Sequence, residues 1–131
     1  MKFYASIVAT LLLAIFIVGG LHKTCTASEI KKAKGGYTVE ELYTKKDKLS
    51  GKKVAVRGKV VKFNGGIMGR NWVHLQDGSG KQGSNDITVT TNQNAKVGDV
   101  ILATGHMATN KDFGGGYKYE VIIEEATLTG E

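Results

Sequence analysis

Hydrophobic positions follow three regimes along the chain. Ile7 to Leu21 (IVATLLLAIFIVGGL) is apolar without interruption, and a polar stretch from His22 to Ser28 follows it. A run of this length is short for a membrane-spanning helix, which needs about 20 residues, and suits the core of a signal peptide, with Lys2 as its positive start. Cys25-Thr26-Ala27 places small residues where a signal peptidase reads them, so residues 1–27 are expected to be a signal peptide cleaved before Ser28. An uncleaved membrane anchor is the competing reading. Lipidation of Cys25 fits poorly, because His22, Lys23 and Thr24 stand where small or apolar residues belong.

Residues 28–37 are polar and lysine-rich and read as a flexible lead. A helical period comes next: Thr38 and Glu41 form a capping box, and Val39, Leu42 and Tyr43 share one face. One short helix over Val39 to Lys48 is expected, stopped at Ser50-Gly51. From Lys52 the period becomes two. Strands are expected over Lys53–Phe63 (bent at Gly58 and broken at Asn64-Gly65-Gly66), Asn71–Gln76, Asp86–Thr91, Asp99–Met107 and Tyr117–Glu125. The link from Asn92 to Gly98 has room for one helical turn. Five strands joined by glycine turns describe a small closed barrel, making residues 38–131 one mainly β domain. Val54, Val56, Val60, Val73, Leu75, Ile87, Val89, Val100, Leu102, Val121 and Ile123 are its expected interior, with the helix against one end.

Composition narrows the chemistry. The single cysteine precedes Ser28, which leaves the mature chain without a disulfide, a thiol nucleophile or a thiolate metal site. From Ser28 onward sixteen Lys/Arg face twelve Asp/Glu, a net charge of +4 that permits phosphate-rich polymers or anionic surfaces as partners. Gly78-Ser79-Gly80-Lys81 echoes a phosphate loop, but Gln82 stands where Ser or Thr must hold magnesium; Asp112-Phe113-Gly114 echoes a kinase metal loop without any other kinase element. His74 and His106 have no neighbours at a metal-ligand spacing, and no Cys-x-x-Cys-His motif offers covalent haem attachment. No serine has a recognisable base. The expectation is a non-enzyme with no cofactor and no metal.

Val56-Arg57-Gly58-Lys59-Val60-Val61, Trp72-Val73-His74-Leu75-Gln76-Asp77-Gly78-Ser79-Gly80 and Ile87-Thr88-Val89 resemble the first three strands of OB-fold nucleic-acid-binding domains of the tRNA-anticodon type. With Gly66 to Trp72 and Lys111 to Tyr117 included, Gly51 to Ala126 resembles small exported bacterial OB proteins. The resemblance implies a five-stranded OB-type barrel, preceded here by the short helix and the signal segment. The helix usually found between the third and fourth strands has shrunk to Asn92–Val97. The ligand path is less determined, because OB barrels host many functions.

The expected binding surface is the outward side of the first two strands. Arg57 and Lys59 alternate with Val56 and Val60, Trp72 and His74 alternate with Val73 and Leu75, Arg70 stands just before Trp72, and Tyr117 and Tyr119 add to the same face. Cations for a phosphate backbone and aromatics for stacking bases are what single-strand binding needs. The competing reading is an ordinary solvated sheet face. The loop Gly65 to Arg70 is read as a hairpin connection with Ile67 and Met68 tucked into the barrel end. The expectation is therefore an exported (periplasmic or extracellular) OB-fold binding module, monomeric or weakly associating and without membrane insertion after processing. Its ligand is single-stranded nucleic acid or another polyanion. The alternative is a periplasmic accessory or interaction protein for maturation of redox proteins such as c-type cytochromes.

Overall fold

The computed structural model describes residues 29–131. The signal segment, its cleavage before Ser28, the anchor reading and Cys25 lie outside the described residues. No helix among the described residues is long and apolar enough to cross a membrane.

Two short helices, α1 (Val39–Thr44) and α2 (Lys46–Leu49), precede five strands: β1 (Lys53–Ile67), β2 (Arg70–Gln76), β3 (Ile87–Thr91), β4 (Val100–Asp112) and β5 (Lys118–Gly130). The strands close into a barrel in the order β1-β2-β3-β5-β4. All neighbours are antiparallel except β3 and β5, whose parallel pairing is the seam. Strand β1 belongs to two ribbons. Lys53 to Lys59 pair with β4, and from Lys59 to Ile67 the strand pairs with β2. Gly58 stays in register with Ile101, and β1 is irregular instead at Val61, between Val60 and Lys62, and again between Asn64 and Ile67. Val60 is consequently buried and the next residue, Val61, is exposed.

The core runs through Val54, Val56, Val60, Val73, Leu75, Ile87, Val89, Val121 and Ile123, as alternation on these strands requires. In β4 the phase is opposite to the expected one. Ile101, Ala103 and Met107 enter the core, while Val100 and Leu102 are only half-buried. Four consecutive apolar residues, Val100 to Ala103, give alternation nothing to choose between. Val39, Leu42 and Leu49 bring the helices into the same core.

The expected single helix is two. The capping box forms as read, with Glu41 N–H donating to Thr38 Oγ1 and Thr38 N–H donating to Glu41 Oε1, but the helix breaks at Lys45. A second cap arrives from the β2–β3 turn: buried Asp77 accepts Val39 N–H at 2.9 Å, and Ser79 Oγ accepts Glu40 N–H at 3.0 Å. That is the job of the Asp77-Gly78-Ser79-Gly80 turn: it docks α1 onto the barrel. The lead runs along the same end. Ile30 N–H donates to Asp77 O, Ala33 is buried, and Tyr37 bridges to Val56. The Asn92–Gly98 link holds no helix, and β5 continues through Ala126 to Gly130. A closed hydrogen-bonded ring around one contiguous core makes residues 29–131 a self-contained folding unit.

Candidate binding face

Outward side chains of β2 are Trp72, His74 and Gln76. The structure places Trp72 on the expected face but not in solvent: it is 3% exposed and stands outside the barrel core. Its cover is the β4–β5 hairpin. Gly114, Gly115 and Gly116 all hold positive φ, a path that a turn of residues with side chains would not follow cheaply, and Gly114 N–H donates to Asp112 Oδ1. The turn folds its aromatics back over the sheet. Tyr119 stacks on Trp72 at 5.7 Å between centroids, Phe113 meets it edge-on at 5.2 Å, and Tyr117 lies at 6.1 Å. Trp72 Nε1–H donates to Ile67 O at 2.8 Å, which ties the hairpin face to the β1–β2 turn. Burial, with Tyr117 nearby, pushes the Tyr119 hydroxyl above its ordinary range.

Phe113, which the sequence reading did not select, is the centre of the exposed rim. The Arg70 guanidinium and the Lys111 ammonium each lie 5.6 Å from its ring centroid, and both reach Glu124 (3.8 and 3.5 Å). Tyr117 is 41% exposed beside it. Met68 is also exposed, at φ +54 in the β1–β2 turn, and does not tuck into the barrel end as expected. Arg70, Trp72, Tyr117 and Tyr119 are thus one cluster, with Phe113 and Lys111 completing it.

The other expected residues lie apart from this cluster. His74 Nδ1 is 2.9 Å from Asp86 Oδ1, and Gln76 Nε2–H donates to Asp86 Oδ2 at 3.1 Å. Burial pushes the Asp86 carboxyl up, but His74, Gln76 and the Lys62 charge outweigh it and hold the group below the usual carboxylate range. Tyr43 donates its hydroxyl to Asp86 O; burial, then the charges of Asp86 and Glu120, raise its pKa to about 12. Lys59 is exposed in register with Gln76. Arg57 is occupied elsewhere: its guanidinium donates to Lys31 O and to Glu131, both at 3.0 Å. His106 sits on β4, which β1 separates from the β2 strand of His74.

A cleft of about 440 Å³ opens beside the cluster, between the Gly69-Arg70 turn, the end of β3 and Glu125 on β5. Glu125 has φ +50, and its N–H donates to the buried Thr90 hydroxyl.

No family model and no curated protein matches the sequence. Solved structures do match it. OBody AM3L09 bound to hen egg-white lysozyme aligns with a TM-score of 0.51 and 18% identity over 76% of this chain and 98% of its own. OBody AM2EP06 bound to the same protein gives 0.51 and 18% over 76% and 96%. OBody AM3L15, also bound to lysozyme, gives 0.51 and 17% over 77% and 94%. At this identity the likeness is one of fold: the five-stranded ring with its parallel β3–β5 seam is an OB barrel.

Proposed function

We propose that the chain is a non-catalytic OB-fold binding module that takes a protein partner on the rim of Phe113, Tyr117, Arg70 and Met68. One observation carries this reading. Aromatic residues and Arg stand together at the rim of a preorganised aromatic cluster whose buried base is Trp72, with Met68 exposed in the turn that leads into Arg70, and all of these are types enriched in protein interfaces. The rim cations already share Glu124, so they suit a mixed surface better than a bare polyanion. With an export segment at its N-terminus, the module meets its partner in the cell envelope, where an accessory role in redox-protein maturation belongs.

Single-stranded nucleic acid is the second reading, the one the resemblance to anticodon-type domains implies. Arg70 and Lys111 flanking Phe113, with Tyr117 exposed, favour it. Of the seven residues first expected to carry it, Trp72 is buried and Arg57 is engaged with Glu131, which weighs against this reading.

The test compares residues 28–131 with their Tyr117→Ala and Arg70→Ala variants. On the first reading, wild type captures a defined partner from a native envelope extract at moderate salt, and both variants lose it. Saturable, salt-dependent binding of short oligonucleotides, weakened in the same variants, would instead establish the second.

A further inference from the structure

The net charge of the described chain sits at one end of it. Between Glu29 and Lys53 eight lysines face four carboxylates, a net +4, whereas from Val54 to Glu131 eight cations face eight carboxylates and cancel. The barrel is therefore neutral, and the lead, the two helices and the start of β1 hold the entire excess.

The fold brings these segments together. Lys32 and Lys45 both pair with Glu41 at 3.0 Å, which ties the lead to α1, and Lys45 also lies 5.8 Å from the Tyr37 ring. Tyr37 pairs with Val56 of β1, and Gly51, between α2 and β1, donates its N–H to Met107 O. Around this junction Lys31, Lys34, Lys48, Lys52 and Lys53 are exposed. None of their ammonium groups makes an ion pair or a hydrogen bond among the described residues. Glu29, Glu40 and Asp47 are the exposed carboxylates of these segments, the fold adds Glu120 (2.6 Å from Lys46 Nζ) and Glu131 (paired with Arg57 beside the Lys31 carbonyl), and His106 lies opposite Lys53 in the β1–β4 register.

We infer that this end is a docking surface for an anionic phospholipid bilayer. Two features select a lipid surface over another polyanion. Lysines spread across a lead, a helix and a strand end offer separate point charges, and the aromatic ring among them, Tyr37, is half-buried against the core, which suits headgroups in a plane and not a threaded strand. The lead is also the part of the chain nearest in sequence to the apolar run Ile7–Leu21. Residues 22–28, which separate them, span at most about 25 Å when fully extended. Lys31, Lys32 and Lys34 lie beyond Ser28, so the surface persists whether or not the apolar run is removed. The rim of Phe113 and Tyr117 uses none of these lysines, and the docking surface stands independently of the partner proposed for that rim.

Co-sedimentation of residues 28–131 with phosphatidylcholine vesicles, with and without about one-third phosphatidylglycerol, tests the inference. Wild type is expected to bind only the anionic vesicles and to release them when salt rises from about 0.05 to 0.5 M. The variant Lys34→Gln, Lys48→Gln, Lys52→Gln, Lys53→Gln should lose binding by about tenfold or more, each lysine removed taking one headgroup contact. The variant Lys59→Gln, Lys62→Gln, Lys81→Gln, Lys96→Gln carries the same change in net charge on other exposed positions and should bind within about twofold of wild type. Absence of wild-type binding at low salt overturns the inference. So does an equal loss in both variants, which would reduce the effect to net charge, or binding of oligonucleotides in place of vesicles. All eight lysines are exposed, and circular dichroism melts of both variants should match wild type.

Discussion

Trp72 changes role between its expected and observed settings without changing strand phase. Alternation along β2 puts it opposite Val73, on the outside of the barrel, and there it is. What alternation cannot show is the cover, because Phe113, Tyr117 and Tyr119 come from a hairpin about forty residues downstream. A buried indole with a satisfied N–H is a packing element. Trp72→Ala is therefore expected to lower stability by about 3–5 kcal/mol in denaturant titration, while Tyr117→Ala stays within about 1 kcal/mol of wild type. Retained wild-type stability in the tryptophan variant would mean that the aromatic cover is not formed. Glu41 allows a test in pH. Its contacts with Lys45 and Lys32 and the Thr38 N–H hold its pKa at about 2, down from 4.5. A depressed carboxylate stabilises the fold fully above its unfolded pKa and loses that contribution as pH falls through the folded one. The stability gap between wild type and Glu41→Gln should thus be constant above pH 4.5 and shrink toward pH 2. Of these contacts, the capping box was legible directly from Thr38 and Glu41, while the larger contribution of the two lysines was not.

At the scale of elements, the five strands and their order along the chain were legible, and the errors cluster where a local rule has no purchase. Asn64-Gly65-Gly66 reads as a break, and the β1–β2 register does shift between Asn64 and Ile67, yet the strand continues to Ile67, where Asn71 Oδ1 accepts Gly66 N–H and holds the ribbon together. The β4 phase was unreadable in Val-Ile-Leu-Ala and is decided by tertiary fit: Ala103 and Gly105 face inward where space is short. Gly105 makes that fit testable. It lies opposite the β5 irregularity between Thr104 and His106, and a Cβ there would stand 2.7 Å from Glu124 O and 3.0 Å from Ala126 Cα. Both contacts are backbone, so a rotamer change cannot relieve them. Gly105→Ala is expected to cost about 1–3 kcal/mol in equilibrium unfolding. Glu125, on the same irregularity at φ +50, should tolerate glycine with no loss of stability. A neutral Gly105→Ala would show that the strands can part there freely.

The whole molecule depends on closing its ring at the one parallel seam. Strands β3 and β5 share only two register pairs, Thr88 with Ile122 and Val89 with Ile123. Side chains extend the seam beyond the backbone ladder. Thr91 Oγ1–H donates to Ala126 O at 2.8 Å, and the Gln93 carboxamide both accepts Leu128 N–H at 2.7 Å and donates to Leu128 O at 3.1 Å. Gln93 thus performs the pairing of a strand residue after β3 has ended. No periodicity marks this role: in the sequence Gln93 is one polar residue in a polar link. Non-local pairing of this kind pays its loop-closure entropy late, and a seam with few bonds opens more easily than the antiparallel ribbons around it. Gln93→Ala removes two exposed hydrogen bonds and should cost only about 1 kcal/mol globally. Its larger effect is local. Hydrogen exchange at Leu128 N–H should accelerate by more than the global change allows, while amides paired between β1 and β2, such as those around Val73, follow the global change alone. Uniform acceleration across all strands would show that the barrel opens as one unit and that the seam is not its weak point.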